Sequence, residues 1–255
     1  APGICIQIHK KRIYVLPGVP QEMRAMFQDF VLPDLKQRFV SGPSSSRHYY
    51  IYGVGESRFQ RELAEKAENI EWGVTAGYGW IKFSIYETSS SNAGALHAWL
   101  LDTYPSQVLD RPVEELLAAE LIRRGETLGL AESCTGGLAG RIVTDAPGAS
   151  QYFRGSIVAY SNTVKESILR VSPAILAQKG AVSAECAQAM AQGARDALRA
   201  DHAVSITGIA GPDGGTAEKP VGTVHLGYAG QGRTETLVYS IPLDRERIRL
   251  YAAYS

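Results

Sequence analysis

Two spacings of apolar residues alternate along this chain, and the switches between them mark its elements. Residues 4–8 and 13–16 read as short strands. Pro17-Gly18-Val19-Pro20 ends them, and Met23, Met26, Phe27 and Phe30 then fall on one side of a helix. After the turn-rich Ser41-Gly-Pro-Ser-Ser-Ser46, residues 48–54 alternate as a strand. Residues 57–69 read as a helix with Phe59, Leu63 and Ala67 four apart. Residues 72–76 and 80–86 are two strands joined by Gly77-Tyr78-Gly79; Ser89-Ser90-Ser91 breaks the chain before a helix over 93–103.

From residue 111 the pattern changes to strands and helices in turn. Pro112 suits the first position and Gly125 the end of a helix burying Val113, Leu116, Leu117 and Leu121. Leu128 and Leu130 belong to a strand, and Leu138 and Ile142 to a helix stopped by Pro147-Gly148. Strand 156–160, helix 164–170, a short helix from Pro173 and a long one from its cap Ser183 to Arg199 follow. Strand 203–206 then leads into Thr207-Gly-Ile-Ala-Gly-Pro-Asp-Gly-Gly215, and residues 221–228 and 234–241 pair around Gly230-Gln-Gly232. The alternation predicts an α/β class with a layered α/β/α domain over 111–255, a small α+β domain over 33–110 and the closing fragment of another α/β domain over 1–32. That first stretch is too short to bury a core. The chain opens on Ala-Pro-Gly and stops inside a helical pattern, as a fragment of a longer protein would.

Composition narrows the function classes. Twenty-six basic and 26 acidic residues cancel, which speaks against a protein built to hold nucleic-acid phosphates. No apolar run approaches the roughly 20 residues of a membrane helix, and no basic-then-apolar leader opens the chain. Cys5, Cys134 and Cys186 are too far apart for a CxxC pair or metal-ligand spacing, so no metal is expected from them. Sparse, odd cysteines suit a reducing cytoplasm. Cys186 joins Met190, Ala194 and Leu198 in a helical stripe and reads as a small buried hydrophobe.

Candidate chemistry gathers in three polar loops after three strands: 133–137, 160–165 and 207–215. Ligands collect at the carboxyl ends of strands in layered α/β folds. Ser133, Cys134 and Thr135 stand where a helix begins, beside N–H groups and the glycines Gly136 and Gly137. A nucleophile there would have anion-stabilising donors at hand; the plainer reading is that Ser133 or Thr135 caps the helix. A serine needs a base. His202, beside Asp201, reads as a surface residue and His225 as a packed one. Lys165 is the better candidate, provided that burial drives its pKa down. Cys134 competes, since thiolates at helix starts are reactive. The glycine-rich 207–215 loop lacks the Gly-Lys-Ser/Thr of a P-loop, but its amides suit a phosphate or carboxylate. Any of Arg245, Arg247 and Arg249 could clamp an anion.

Ala-Glu-Ser-Cys-Thr-Gly-Gly at 131–137, Gly-Ser-Ile-Val-Ala-Tyr-Ser-Asn-Thr-Val-Lys at 155–165, Gly-Ala-Val-Ser at 180–183 and Thr-Gly-Ile-Ala-Gly-Pro-Asp-Gly-Gly at 207–215 occur in order. With them, residues 111–255 resemble the C-terminal nicotinamide mononucleotide deamidase domain of the bacterial CinA family. Residues 1–32, with Leu-Pro-Gly-Val-Pro at 16–20, resemble the end of that family's molybdopterin-binding-like domain, and the middle unit resembles a KH-like domain. The resemblance implies an amidohydrolase of pyridine nucleotide salvage that converts nicotinamide mononucleotide to nicotinate mononucleotide and ammonia. By motif match Ser133 is the nucleophile, Lys165 its base, and Tyr160 and Thr207 support them. Thr135, Gly136, Gly137, Gly208 and Gly211 line the substrate site, with oxyanion donors near 135–137, and Arg247 matches a functional arginine. A cytoplasmic homodimer without a cofactor at this site follows by the same route. A divalent metal is implied only for the mostly missing N-terminal domain, so ADP-ribose pyrophosphatase activity is not expected of this chain. The rivals are a Cys134-dependent hydrolase and a non-catalytic nucleotide-sensing or RNA-binding module.

Overall fold

A computed structural model describes every residue except 1, 2, 10, 39–44, 69 and 88–92. The expected breaks at 41–46 (but for its last two residues) and 89–91, and the expected helix end at Asn69, lie outside the described residues. The chain forms two compact units, Ala1–Ser45 and Ser46–Ser255.

In the first unit β1 (Ile4–Ile8) and β2 (Lys11–Val15) form an antiparallel hairpin with Ile4 opposite Val15. Helix α1 (Pro20–Met26) opens on a proline, whose missing N–H costs nothing in the first turn. It continues through a π-turn, Phe27–Val31, into α2 (Leu32–Arg38), so helix runs unbroken across residues 32 and 33. The Asp34 carboxylate accepts from Arg12, Tyr14 and Arg38 and ties hairpin to helix.

The second unit begins with β3 (Ser45–Tyr52), α3 (Glu56–Ala64), β4 (Glu71–Ala76), β5 (Trp80–Glu87), α4 (Ala93–Thr103) and the two-residue β6 (Val108–Leu109). The strands lie in the order β4-β5-β3-β6. Alternate residues of β3 and β5, including Ile51, Phe83 and Ile85, pack with Phe59 and Leu63 of α3 and Leu96 and Leu100 of α4 in one core. Helix α3 ends at Ala64, five residues before its apolar spacing suggested, because the N–H groups of Lys66 and Ala67 both turn back onto the Leu63 carbonyl. The Val113 N–H donates to the Tyr52 hydroxyl at 2.9 Å and joins this sheet to α5 (Val113–Arg124).

The rest alternates strand and helix: β7 (Leu128–Glu132), α6 (Leu138–Asp145), β8 (Phe153–Val158), α7 (Asn162–Ser167), α8 (Pro173–Gln178), α9 (Ala184–Leu198) and β9 (His202–Gly208). The hairpin β10 (Thr223–Gly230) and β11 (Arg233–Ser240) and helix α10 (Arg245–Tyr254) complete it. Sheet order is β11-β10-β9-β7-β8, with β7 parallel to both β8 and β9. Every residue of β7 is buried, as a strand covered on both faces requires. Leu128 and Leu130 join a core with Leu121 of α5, Val143 of α6 and Ile248 of α10. Ala131 points the other way, into a core with Cys186, Met190 and Ala194 of α9. One strand thus serves two helical layers through its period of two, and the expected α/β class is present. Because β7, β8 and β9 run parallel, their carboxyl ends share one rim: Glu132 is opposite Val158 on one side and Ile206 on the other.

Helix α9 comes close to the segment after α7. A Cβ built at Gly193 would lie 1.9 Å from the Leu169 carbonyl oxygen. Alanine at an ordinary helical position stabilises by about 1 kcal/mol over glycine. Here that gain is overridden by backbone overlap, and Gly193→Ala is expected to destabilise the protein by about 1–3 kcal/mol net in urea unfolding.

Candidate active site

The carboxyl ends of β7, β8 and β9 put the three polar loops side by side around a cavity of about 280 Å³. Ser133, Cys134, Tyr160, Asn162, Lys165, Thr207, Gly208, Gly211, Asp213 and Arg245 are among its lining residues. Of the residues singled out in the sequence, Ser133, Cys134, Lys165, Tyr160, Thr207, Gly208, Gly211 and Arg245 meet there. Thr135, Gly136, Gly137 and Arg247 do not line it.

Lys165 sits on α7, whose cap is the Ser161 hydroxyl, accepting from Val164 N–H at 3.3 Å. Helical side chains lean toward the helix N-terminus, which sends this amine back under the strand end. Its Nζ donates to the carbonyls of Ala159 at 2.8 Å and Tyr160 at 3.3 Å and lies 3.0 Å from Ser133 Oγ. Lys165 is 1% exposed and Ser133 8%. Burial lowers the lysine pKa, and no carboxylate stands among the charges that act on it. A neutral amine has two hydrogens for the two carbonyls and one lone pair, which leaves the lone pair for the serine proton. Thr207 is anchored by its hydroxyl, which donates to Ala181 O at 2.8 Å. Tyr160 is 60% exposed at the mouth, where its hydroxyl accepts from Arg245 at 3.2 Å. The same guanidinium donates to Gly211 O.

The helix start carries a correction. The N–H groups at the beginning of α6 are not open, and neither Ser133 nor Thr135 caps them. The Glu132 side chain does, accepting from Gly137 N–H at 2.8 Å, Ala139 N–H at 3.1 Å and Gly140 N–H at 2.8 Å, and from the Ser156 hydroxyl at 2.7 Å. Glu132 is 0% exposed; four donors offset the desolvation of its charge. Gly136 N–H turns onto Ser133 O at 3.1 Å. The amides of Gly136 and Gly137, expected among the anion donors, are therefore already engaged. Among the described residues of this turn, the N–H groups of Cys134 and Thr135 have no carbonyl or carboxylate partner. Gly136 and Gly137, at φ of +61° and +100°, supply the left-handed turn that lets Glu132 reach forward. The Thr135 hydroxyl is fully buried without a partner.

Arg247 is the second correction. It pairs with Asp244 at 3.2 Å, its side chain 58% exposed. Successive helical residues turn by 100°, so Arg245 and Arg249, four apart, share a face that Arg247 leaves. Arg245 is the arginine that lines the cavity. Arg249 reaches the Ser133 turn itself, donating to Cys134 O at 3.0 Å and Thr135 O at 2.9 Å. Sequence reasoning missed Glu132, although a carboxylate ending an otherwise apolar strand was a signal. It also missed Asn162 and Asp213.

Cys134 shares the cavity, but burial pushes its thiol up to about 11. His202 is not a surface residue: its ring bridges Glu126 at 2.9 Å and the Tyr228 hydroxyl at 2.8 Å. His225 stays packed on β10, its pKa lowered by burial. Among the described residues no group of three His, Cys, Asp or Glu side chains could hold a metal ion, and no helix is long and apolar enough to cross a membrane.

Residues 110–255 match the family model for the CinA C-terminal domain. A CinA-like protein of Leptospira interrogans is 39% identical over the whole chain, which spans 62% of that relative; one from Anaeromyxobacter dehalogenans is 39% identical with 65% spanned. The chain thus covers less than two thirds of these relatives. Among solved structures, a CinA superfamily protein of Escherichia coli is 33% identical with a TM-score of 0.54, over 55% of this chain and 82% of that one. A competence/damage-inducible protein of Agrobacterium tumefaciens is 37% identical with the same TM-score, over 55% of this chain and 87% of its own. The parallel strands with their shared rim, the four ordered motifs and these matches together make the chain a member of the CinA family.

Proposed function

We propose that this cavity hydrolyses the carboxamide of a pyridine mononucleotide, releasing ammonia and leaving nicotinate mononucleotide. One observation supports it most: an almost fully buried lysine amine, free of any carboxylate, 3.0 Å from a buried serine hydroxyl. Ser133 Oγ gives its proton to neutral Lys165 and attacks the carboxamide carbon. The charge that gathers on the carbonyl oxygen is met by the N–H groups of Cys134 and Thr135. The Lys165 ammonium then returns the proton to the departing nitrogen, and ammonia leaves an ester on Ser133. Water, deprotonated by the same amine, attacks that ester; nicotinate mononucleotide leaves, and the Lys165 ammonium returns the proton to Ser133 Oγ. Arg245 at the mouth meets the substrate phosphate, and no metal is used in these steps. By the same family likeness the protein works as a cytoplasmic homodimer in nucleotide salvage.

Serine is favoured over Cys134 on two grounds. The amine bonds to the hydroxyl, and a thiol titrating at about 11 is ionised to only about one part in 10⁴ at pH 7.

Ammonia release from nicotinamide mononucleotide, assayed with a chelator present, should fall by about 10³-fold or more in Ser133→Ala and in Lys165→Ala. Cys134→Ala should keep most of it; the reverse pattern would move the nucleophile to the thiol.

The amine acts as a base only when neutral, so kcat should rise with pH through a single ionisation below the ordinary lysine value. A flat profile between roughly pH 6 and pH 10 would contradict that role.

Arg245→Ala should raise KM for the mononucleotide by about tenfold or more, while hydrolysis of the unphosphorylated riboside stays unchanged. Equal losses on both substrates would remove Arg245 from the phosphate.

A further inference from the structure

Arg249 spends its charge in an unusual way. Among the described residues no carboxylate pairs with it. Its guanidinium instead donates from Nε to Cys134 O at 3.0 Å and from Nη2 to Thr135 O at 2.9 Å. It also packs on Gly136, where an added Cβ would stand 3.3 Å from Nη2.

Those two carbonyls decide where the turn's amides point. A trans peptide sets its N–H antiparallel to its C=O. Holding Cys134 O therefore fixes the direction of the Thr135 N–H. Holding Thr135 O fixes the Gly136 N–H, which donates to Ser133 O at 3.1 Å. Holding Ser133 O in turn fixes the Cys134 N–H. The two amides of the turn that no carbonyl or carboxylate takes, both lying beside the Cys134 sulfur, are thus aimed by one side chain, directly for Thr135 and through Gly136 for Cys134. Glu132 secures the other end of the turn through Gly137, Ala139 and Gly140. We infer that Arg249 is a positioning residue that orients the Cys134 and Thr135 amides toward the oxygen that becomes negative when Ser133 attacks. The inference rests on the serine–lysine reading and names the group that sets its anion donors.

The experiment compares wild type, Arg249→Lys and Arg249→Ala by two readouts. One is kcat and KM for ammonia release; the other is the rate at which a fluorophosphonate labels Ser133, which needs the nucleophile and its anion donors but no nucleotide. Thermal unfolding checks that each variant is folded. Arg249→Ala is expected to lose about 10–100-fold in kcat and in labelling rate, less than deletion of a donor because the amides remain but lose their aim. KM should change by no more than about twofold, since a step confined to the transition state is affected. Added guanidinium at millimolar levels should restore part of both rates in Arg249→Ala. Arg249→Lys should fall between, as a single ammonium lacks the fork that spans two carbonyls.

Wild-type rates in Arg249→Ala would overturn the inference. So would equal losses in both variants with no response to guanidinium, which would make Arg249 a packing residue. Wild type that is labelled at Ser133 but inert toward the nucleotide would sink the substrate proposal alone and leave Arg249 to be decided by labelling. Wild type that is neither labelled nor active would overturn both.

Discussion

The site depends on one unpaid desolvation. An amine as buried as that of Lys165 would ordinarily be held as an ammonium by a carboxylate, because an isolated buried charge is costly. Here the partners are two carbonyls and a hydroxyl. They satisfy a neutral amine's hydrogens without stabilising the extra proton as an anion would, so burial prevails and the pKa falls. A carboxylate placed there would improve the ion pair and remove the neutral amine that the proposed reaction needs. The turn that ends β8 and the cap that starts α7 matter because they furnish acceptors of the right kind and no more.

The same economy of charge runs through the turn that carries Ser133. Its one buried carboxylate, Glu132, faces away from the lysine and is saturated by three amides and a hydroxyl. Its one guanidinium, Arg249, is spent on carbonyls. Helix α6 consequently offers little of its terminal field to a ligand, because its first N–H groups are already occupied. The donors proposed to meet the developing anion lie one step earlier, in the turn, where the peptide planes are set individually. A helix start with open amides would bind anions broadly. A turn with two aimed amides favours charge at one point.

Much of this architecture was legible in the residues. Alternation of Leu128 and Leu130 with Gly129 and Ala131 marks a strand between two helical layers. The spacing of Leu138 and Ile142, and the cap Ser183, place helices that are present. Grouping three loops at strand ends correctly brings Ser133, Lys165 and Thr207 together, since parallel strands end on one rim. What was not legible is which hydrogen bonds close the turn. Composition cannot show that a carboxylate one residue before the serine folds forward onto Gly137, Ala139 and Gly140, because that depends on two left-handed glycines. Arg245, Arg247 and Arg249 look alike in the sequence, and only the phase of α10 separates the three. The two-residue β6 has too little pattern to be seen at all.

In Ala131-Glu-Ser-Cys-Thr-Gly-Gly137 the glutamate caps, the serine faces the amine, and the glycines turn the chain so that the cap can form. The cysteine and threonine contribute peptide planes; burial keeps the Cys134 thiol protonated, and the Thr135 hydroxyl bonds to nothing. Small side chains at these two positions leave room for a guanidinium to reach both carbonyls from a helix 114 and 115 residues away in sequence. Helix α10 is thereby coupled to the turn that follows β7. Shifts of α10 against the sheet would change the aim of the amides before they disturbed the serine or the lysine, because both of those are held by β7, α7 and the strand end between them.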